Sequence, residues 1–280
     1  MFDTDIWEQY DKMSEAKQQA IYTPIMRRIG QIMNSEFLKP IFCQEPNPAL
    51  DLYKFIDEGK VILFRMKSGV MSTRVIEILC YWIVLVCFMI KLGQGGKSTK
   101  NNGTFLVLNE PHQYLTDSLA YFIERMFSEG PKYRLIPLLI FHNFKQFKKF
   151  PGFVDVLKSG SLNWHIFKNT NEDVYKDLFG YLGKTFETPL QAFEATKMFQ
   201  FIGIWLDSSG NYYDPFVADA LPLVSTRFKV YDNKALTLKH SQIYGRPVKE
   251  VLDSIRARNK EALILAEDVD QEDKKPTKRK

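Results

Sequence analysis

Gly103-Thr104-Phe105-Leu106-Val107-Leu108-Asn109-Glu110-Pro111-His112 decides how the rest of the chain is read. Four consecutive apolar residues, Phe105 to Leu108, stop at a run of polar ones. An unbroken apolar run bounded by Gly before and Pro after is the pattern of a strand buried on both faces. Strands of that kind belong to parallel sheets covered by helices. In open α/β sheets, ligands bind outside the carboxyl ends of the strands. Asn109 and Glu110 are therefore the first candidate site residues.

Moving upstream, Val61 to Met66 has the same buried-strand pattern and ends at Lys67-Ser68-Gly69. Ser72 or Thr73 can cap the helix that follows, which should run to about Lys91. Downstream, Ser118 to Phe127 reads as a helix broken by Ser128-Glu129-Gly130-Pro131. Leu135 to Phe141 is a third buried strand, with Pro137 arguing against a central position. It ends in His142-Asn143, polar again at the carboxyl end. A Lys-rich segment (Lys145, Lys148, Lys149) leads to a helical turn or two at Phe153 to Lys158. Trp164 to Phe167 reads as a further strand, and Thr170 or Asn171 caps a helix through Phe179. The alternation over 59–180 predicts a parallel sheet with right-handed crossovers.

The flanks read differently. Residues 1–57 are mainly helical: Ile21, Ile25, Ile29 and Ile32 keep helical spacing, and Pro24 suits a helix's first turn. Pro40, Pro46 and Pro48 mark a loop, and Leu50 to Ile56 a short helix. After Lys184 come a short helix (Pro189 to Thr196) and a hairpin, Met198 to Leu206 against Tyr212 to Pro215, turned at Asp207 to Asn211. Residues 246–266 form a charged C-terminal helix. Residues 268–280 are expected to be disordered. The predicted architecture is thus α/β, a partial RecA-like parallel sheet with flanking helices over 58–200. A helical segment (1–57) precedes it, and a β-hairpin with a C-terminal helix (201–267) and a basic tail (268–280) follow.

Composition bounds the function. The 280 residues are 45% hydrophobic and include 22 Phe, enough for a sizeable core. The net charge of +5 is misleading, because Lys274, Lys275, Lys278, Arg279 and Lys280 account for all of it. The remaining body is formally neutral, so DNA contact through a basic surface is expected at those tail residues. The three cysteines, Cys43, Cys80 and Cys87, are odd in number and read as reduced thiols. His112, His142, His165 and His240 are too scattered for a zinc site. The acidic, polar start is unlike a secretory signal. Val75 to Leu92 contains Glu77, and its uncharged part falls short of the ~20 residues of a membrane span. A buried helix and a cytoplasmic location are expected.

Gly93-Gln94-Gly95-Gly96-Lys97-Ser98-Thr99 imitates a phosphate-binding P-loop. The motif needs Gly where Lys91 stands, and a helix after it. Here the next strand begins almost at once, leaving no helix N-terminus to hold phosphate. A loop is predicted.

With these motifs placed, residues from about 20 to 200 resemble the later part of HerA/FtsK-superfamily ATPases, in particular those of type IV secretion and conjugation. The resemblance rests on four motifs in order. Gly59-Lys60-Val61-Ile62 matches the start of a strand, and Asn109-Glu110-Pro111-His112 matches the Walker B strand and its nearby His. Pro131-Lys132-Tyr133-Arg134 matches an Arg-Lys-Tyr segment, and His142-Asn143 matches a strand ending in His-Gln. It implies a fold derived from a P-loop NTPase, with ATP and magnesium as cofactors. It also implies a role in DNA translocation, conjugation or another mobile-element system, with protein subunits as partners in an oligomer and the membrane reached only through a complex. Glu110 would polarise water, Asn109 would stand at the magnesium site, and His112 and His142 would lie near the nucleotide. The departures fall on the chemical positions. Asn109 replaces the magnesium-binding Asp, Pro131 the Arg, and Asn143 the Gln that would sense the γ-phosphate, with Arg134 the nearest substitute for the lost Arg. The resemblance starts beyond the P-loop half of those proteins. Hydrolysis then needs a phosphate loop from a second chain. The alternative is a non-catalytic module that scaffolds or regulates such a machine. An unrelated α/β enzyme is disfavoured, since the chain has neither a Gly-x-Ser-x-Gly elbow nor a dinucleotide fingerprint.

Overall fold

The computed structural model describes residues 4–95, 103–170, 172–229 and 233–273. Helices α1 (Thr4–Asp11), α2 (Glu15–Met33), α3 (Leu38–Cys43) and α4 (Leu52–Asp57) come first, then α5 (Thr73–Gln94). Strand β1 (Thr104–Asn109), α6 (Asp117–Glu129), β2 (Leu135–Ile140), α7 (Pro151–Ser159) and β3 (Trp164–Phe167) follow. The short helices α8 (Asp173–Asp177), α9 (Phe179–Leu182) and α10 (Pro189–Ala195) lead to β4 (Gln200–Ile204) and β5 (Phe216–Asp219). Helices α11 (Val224–Arg227), α12 (Asn233–Tyr244) and α13 (Val248–Asp273) complete the order. The chain divides into two compact units, Met1–Asp51 with Asp232–Lys280, and Leu52–Tyr231.

In the first unit, Arg258 on α13 pairs with Glu45 at 2.5 Å and also donates to the carbonyl of Cys43. The Asn47 side chain donates to the carbonyl of Tyr244 at 3.0 Å. Pro24, expected in a first helical turn, lies inside α2 instead. Helix α13 runs to Asp273, past the end expected for it, because Glu, Lys, Arg, Ala and Leu dominate its sequence and are strong helix formers. The basic residues Lys274 to Lys280 lie outside the described residues.

The second unit holds the sheets. Strands β1 and β2 pair in parallel, in register from Thr104 opposite Leu135 to Asn109 opposite Ile140. The two helices nearest them start as the sequence requires. The Ser72 hydroxyl accepts from the Val75 amide at the head of α5, and Thr116 from the Leu119 amide at the head of α6. Helix α6 sends Leu119, Ala120, Ile123 and Met126 into the core, where Val84 and Phe88 of α5 and Leu108 of β1 meet them. Helix α5 is long and apolar enough to cross a membrane by length and composition, yet Cys80, Val84 and Phe88 bury one face of it in this core.

Burial of β1 and β2 on both faces is not found, since Phe105, Val107, Ile136, Leu138 and Ile140 are exposed and only the alternate positions face the core; three further expectations are corrected. Residues 61–66 form no strand: they have no ladder partners, and Val61 and Leu63 are 87% and 88% exposed. A cleft of about 1620 Å³ separates this segment from the free edge of β1. Strand β3 joins no parallel sheet. It pairs antiparallel with β4, and β4 antiparallel with β5, giving a separate three-stranded sheet. Among the described residues the parallel sheet therefore has two strands, and Pro137 sits in an edge strand, where its missing amide is tolerated. Third, the α8 N-cap is Glu172 with no side-chain capping bond; Thr170 bonds Asn169 instead, and Asn171 lies outside the described residues. The fold is mixed α/β.

The predicted hairpin is present as β4 and β5, joined through a Leu206–Tyr212 bridge. Asp207 builds its turn by accepting from the amides of Ser209 and Asn211, each at 2.8 Å, and Gly210 supplies φ of 85°. The Tyr212 hydroxyl accepts from the Leu162 amide at 3.1 Å, tying the hairpin to the start of β3.

Candidate functional site

The parallel pairing of β1 and β2 brings their polar carboxyl ends side by side. Glu110 follows β1 in the left-handed region, at φ 51° and ψ 48°. For a residue with a Cβ this conformation costs roughly 1–2 kcal/mol, so the fold must hold it there. It turns the carboxylate toward the end of β2. Its Oε1 lies 3.1 Å from Nε2 of His142, and its Oε2 lies 3.5 Å from Nε2 of His112. Pro111 sets the single helical turn that carries His112, and the hydroxyl of Tyr114 donates back to the carbonyl of Asn109 at 3.2 Å. Burial pushes the Tyr114 phenol up, so it stays a neutral donor.

Gln146 organises the other side. Its Oε1 accepts from the amides of His142 at 2.8 Å and Asn143 at 3.2 Å, while Asn143 caps the turn Phe144–Phe147. With Oε1 committed to two backbone donors, the Gln146 amide nitrogen must face His112 Nε2, 3.1 Å away, as a donor. His112 Nε2 is then an acceptor, and the ring proton sits on Nδ1, a buried atom without a hydrogen-bond partner. His112 Nε2 therefore cannot donate to Glu110 in this tautomer, and the carboxylate's hydrogen-bonding imidazole is His142. His142 is the exposed member of the cluster, and its carbonyl is anchored by the Asn169 side chain at 2.8 Å. A carboxylate oriented by a neighbouring imidazole can act as a base toward a water.

Of the residues read from the sequence, Asn109, Glu110, His112, His142 and Asn143 are brought together at one edge. Arg134 is not among them. It occupies a left-handed position (φ 56°) just before β2, at the opposite end of the strands. Six strand residues at ~3.3 Å each separate it from Glu110 by roughly 17 Å or more, too far to share a reacting atom. Arg134 instead lines the cleft beside Asp57 and Lys60 and helps hold the Lys91 pKa below its ordinary value, after the burial that is the main cause. Lys91 is 1% exposed at the end of α5. Gln146 was missed by sequence reading; an amide three residues after a strand-end Asn, the spacing of a capping box, is the signal that would have found it.

The described part of the P-loop-like stretch does not suit phosphate. Gly93 and Gln94 belong to the last turn of α5, and Gly95 is its left-handed C-cap at φ 58°; residues 96–102 lie outside the described residues. A helix C-terminus carries the negative end of the dipole and exposes carbonyls, the wrong polarity for phosphate. Among the described residues no group of three or more His, Cys, Asp or Glu side chains is placed to hold a metal ion. No family model, curated protein or solved structure matches the chain.

Proposed function

We propose that this chain is an ATPase-derived component of a DNA-translocation or conjugation-type machine that depends on a partner chain for nucleotide binding and hydrolysis. The observation that supports it is the juxtaposition of Asn109-Glu110 and His142-Asn143 at the carboxyl edge of two parallel strands, with Glu110 held in a strained backbone. Strain of this kind concentrates at functional positions. In this reading Glu110 orients water, Gln146 fixes His112, and the partner brings the phosphate loop and the magnesium. The second reading is a non-catalytic module, and the distance of Arg134 from Glu110 favours it. Titration calorimetry with ATP and magnesium tests the dependence: no binding in the micromolar range is expected for the chain alone, and micromolar affinity would overturn it. An adjacent reading frame encoding a phosphate loop is the partner this proposal requires.

A further inference from the structure

The three-stranded sheet has a face that does not suit water. Ile166, Ile202 and Ile204 point into the core. Alternation and register put His165 and Phe167 of β3, Phe201 and Gly203 of β4 and Phe216 and Ala218 of β5 on the other face, extended by Trp205. An antiparallel sheet with one wet face normally shows polar residues there. Here the rings form a continuous row. Phe167 meets Phe201 at 5.4 Å, Phe201 meets His165 at 5.1 Å, His165 meets Trp205 at 5.6 Å, and Trp205 meets Phe216 at 4.8 Å. The indole Nε1 of Trp205 donates to His165 Nε2 at 3.2 Å, which locks the row. Phe167 is 53% exposed and Trp205 38%.

We infer that this aromatic face is the contact surface for a second copy of the chain, stacked sheet against sheet. Charge selects the occupant. No Asp, Glu, Lys or Arg lies on the face, and burial pushes the His165 pKa down, so its ring is neutral at pH 7. Single-stranded nucleic acid also stacks on aromatic rows, but it needs a cationic groove along its backbone. Here the exposed Lys168 and Lys197 stand at the rim, with Asp219 facing the sheet's other end residue, Gln200. An uncharged apolar face meets its own copy without like-charge repulsion, as an isologous contact requires. Interface centres are enriched in Phe, Trp and Met and depleted in charge. Met198 and Phe199, 76% and 67% exposed, precede β4 and bring the apolar surface at this end of the sheet to on the order of 600 Å², against the ~800 Å² per partner of a standard interface. The proposal does not depend on the nucleotide reading.

Sedimentation velocity on the full chain from about 1 to 100 μM, concentrations that bracket an ordinary micromolar association, is the test. The expected result is a concentration-dependent dimer of twice 32.7 kDa. Phe167→Asp should shift it to monomer, while Met89→Asp on the exposed side of α5 should leave the dimer intact. Hydroxyl-radical labelling of the unaltered protein needs no variant to fold: Phe167, Phe201 and Trp205 should lose reactivity as the dimer forms. A monomer throughout, or a dimer with undiminished labelling of these rings, would overturn the proposal. So would quenching of Trp205 fluorescence by an oligothymidine, abolished in Trp205→Phe, which would assign the face to nucleic acid.

Discussion

Glu110 combines two costs at one residue, a left-handed backbone and a half-buried carboxylate, and its contact with His142 at 3.1 Å works against them. Substitution separates the terms. Glu110→Ala keeps the Cβ strain and loses the pair, whereas Glu110→Gly loses both. Glu110→Gly is therefore expected to be more stable than Glu110→Ala by about 1 kcal/mol, read as the difference in urea midpoint at constant slope. Equal midpoints would mean that the backbone at residue 110 relaxes freely. The site residues were legible because polar side chains directly after an apolar run are conspicuous. The strain was not, because Glu gives no sign of positive φ where Gly or Asn would.

At the scale of elements, a close backbone approach lies where α6 gives way to β2. A Cβ added at Gly130 would sit 2.6 Å from the carbonyl oxygen of Leu135, a backbone atom that cannot swing aside. Gly130→Ala is expected to cost about 1–3 kcal/mol through overpacking, visible as a lower thermal midpoint with unchanged far-ultraviolet circular dichroism below it. Sequence marked the end of α6 well, since Gly130-Pro131 is strong punctuation. It marked β1, β2, α5 and α6 for the same kind of reason: long apolar runs and clear caps. It failed at Val61 to Met66 and at β3, and the cause is common to both. A continuous apolar run favours a strand but specifies neither which strand lies alongside, nor its direction, nor that both faces are covered: Val61 and Leu63 are exposed, as are Phe105 and Val107 of β1. Trp164 to Phe167 has one buried position, Ile166, and its pairing is decided by the hairpin that follows it.

For the molecule as a whole, the core is sealed by two thiols that report on its integrity. Burial raises the Cys80 pKa from 9.0 to about 12 and that of Cys87 in the same direction. The thiolate is the nucleophile, so at pH 8 both are inert as long as the core of the second unit stays closed. Cys43 is only half-buried, in the other unit. An aromatic disulfide reagent should label Cys43 alone in the native protein and all three cysteines in denaturant, with the sites assigned by mass spectrometry. Labelling of Cys80 at the rate of Cys43 would show that α5 opens without global unfolding. The free edge of β1 has a consequence of another kind. Thr104–Asn109 is six residues long, uncharged and without Pro or Gly, and its outer hydrogen-bonding groups face the cleft. That is the composition of a segment able to seed fibrils. The stretch at 61–66 lines the same cleft, so a stretch that adds nothing to the sheet stands where another chain's strand would approach this edge.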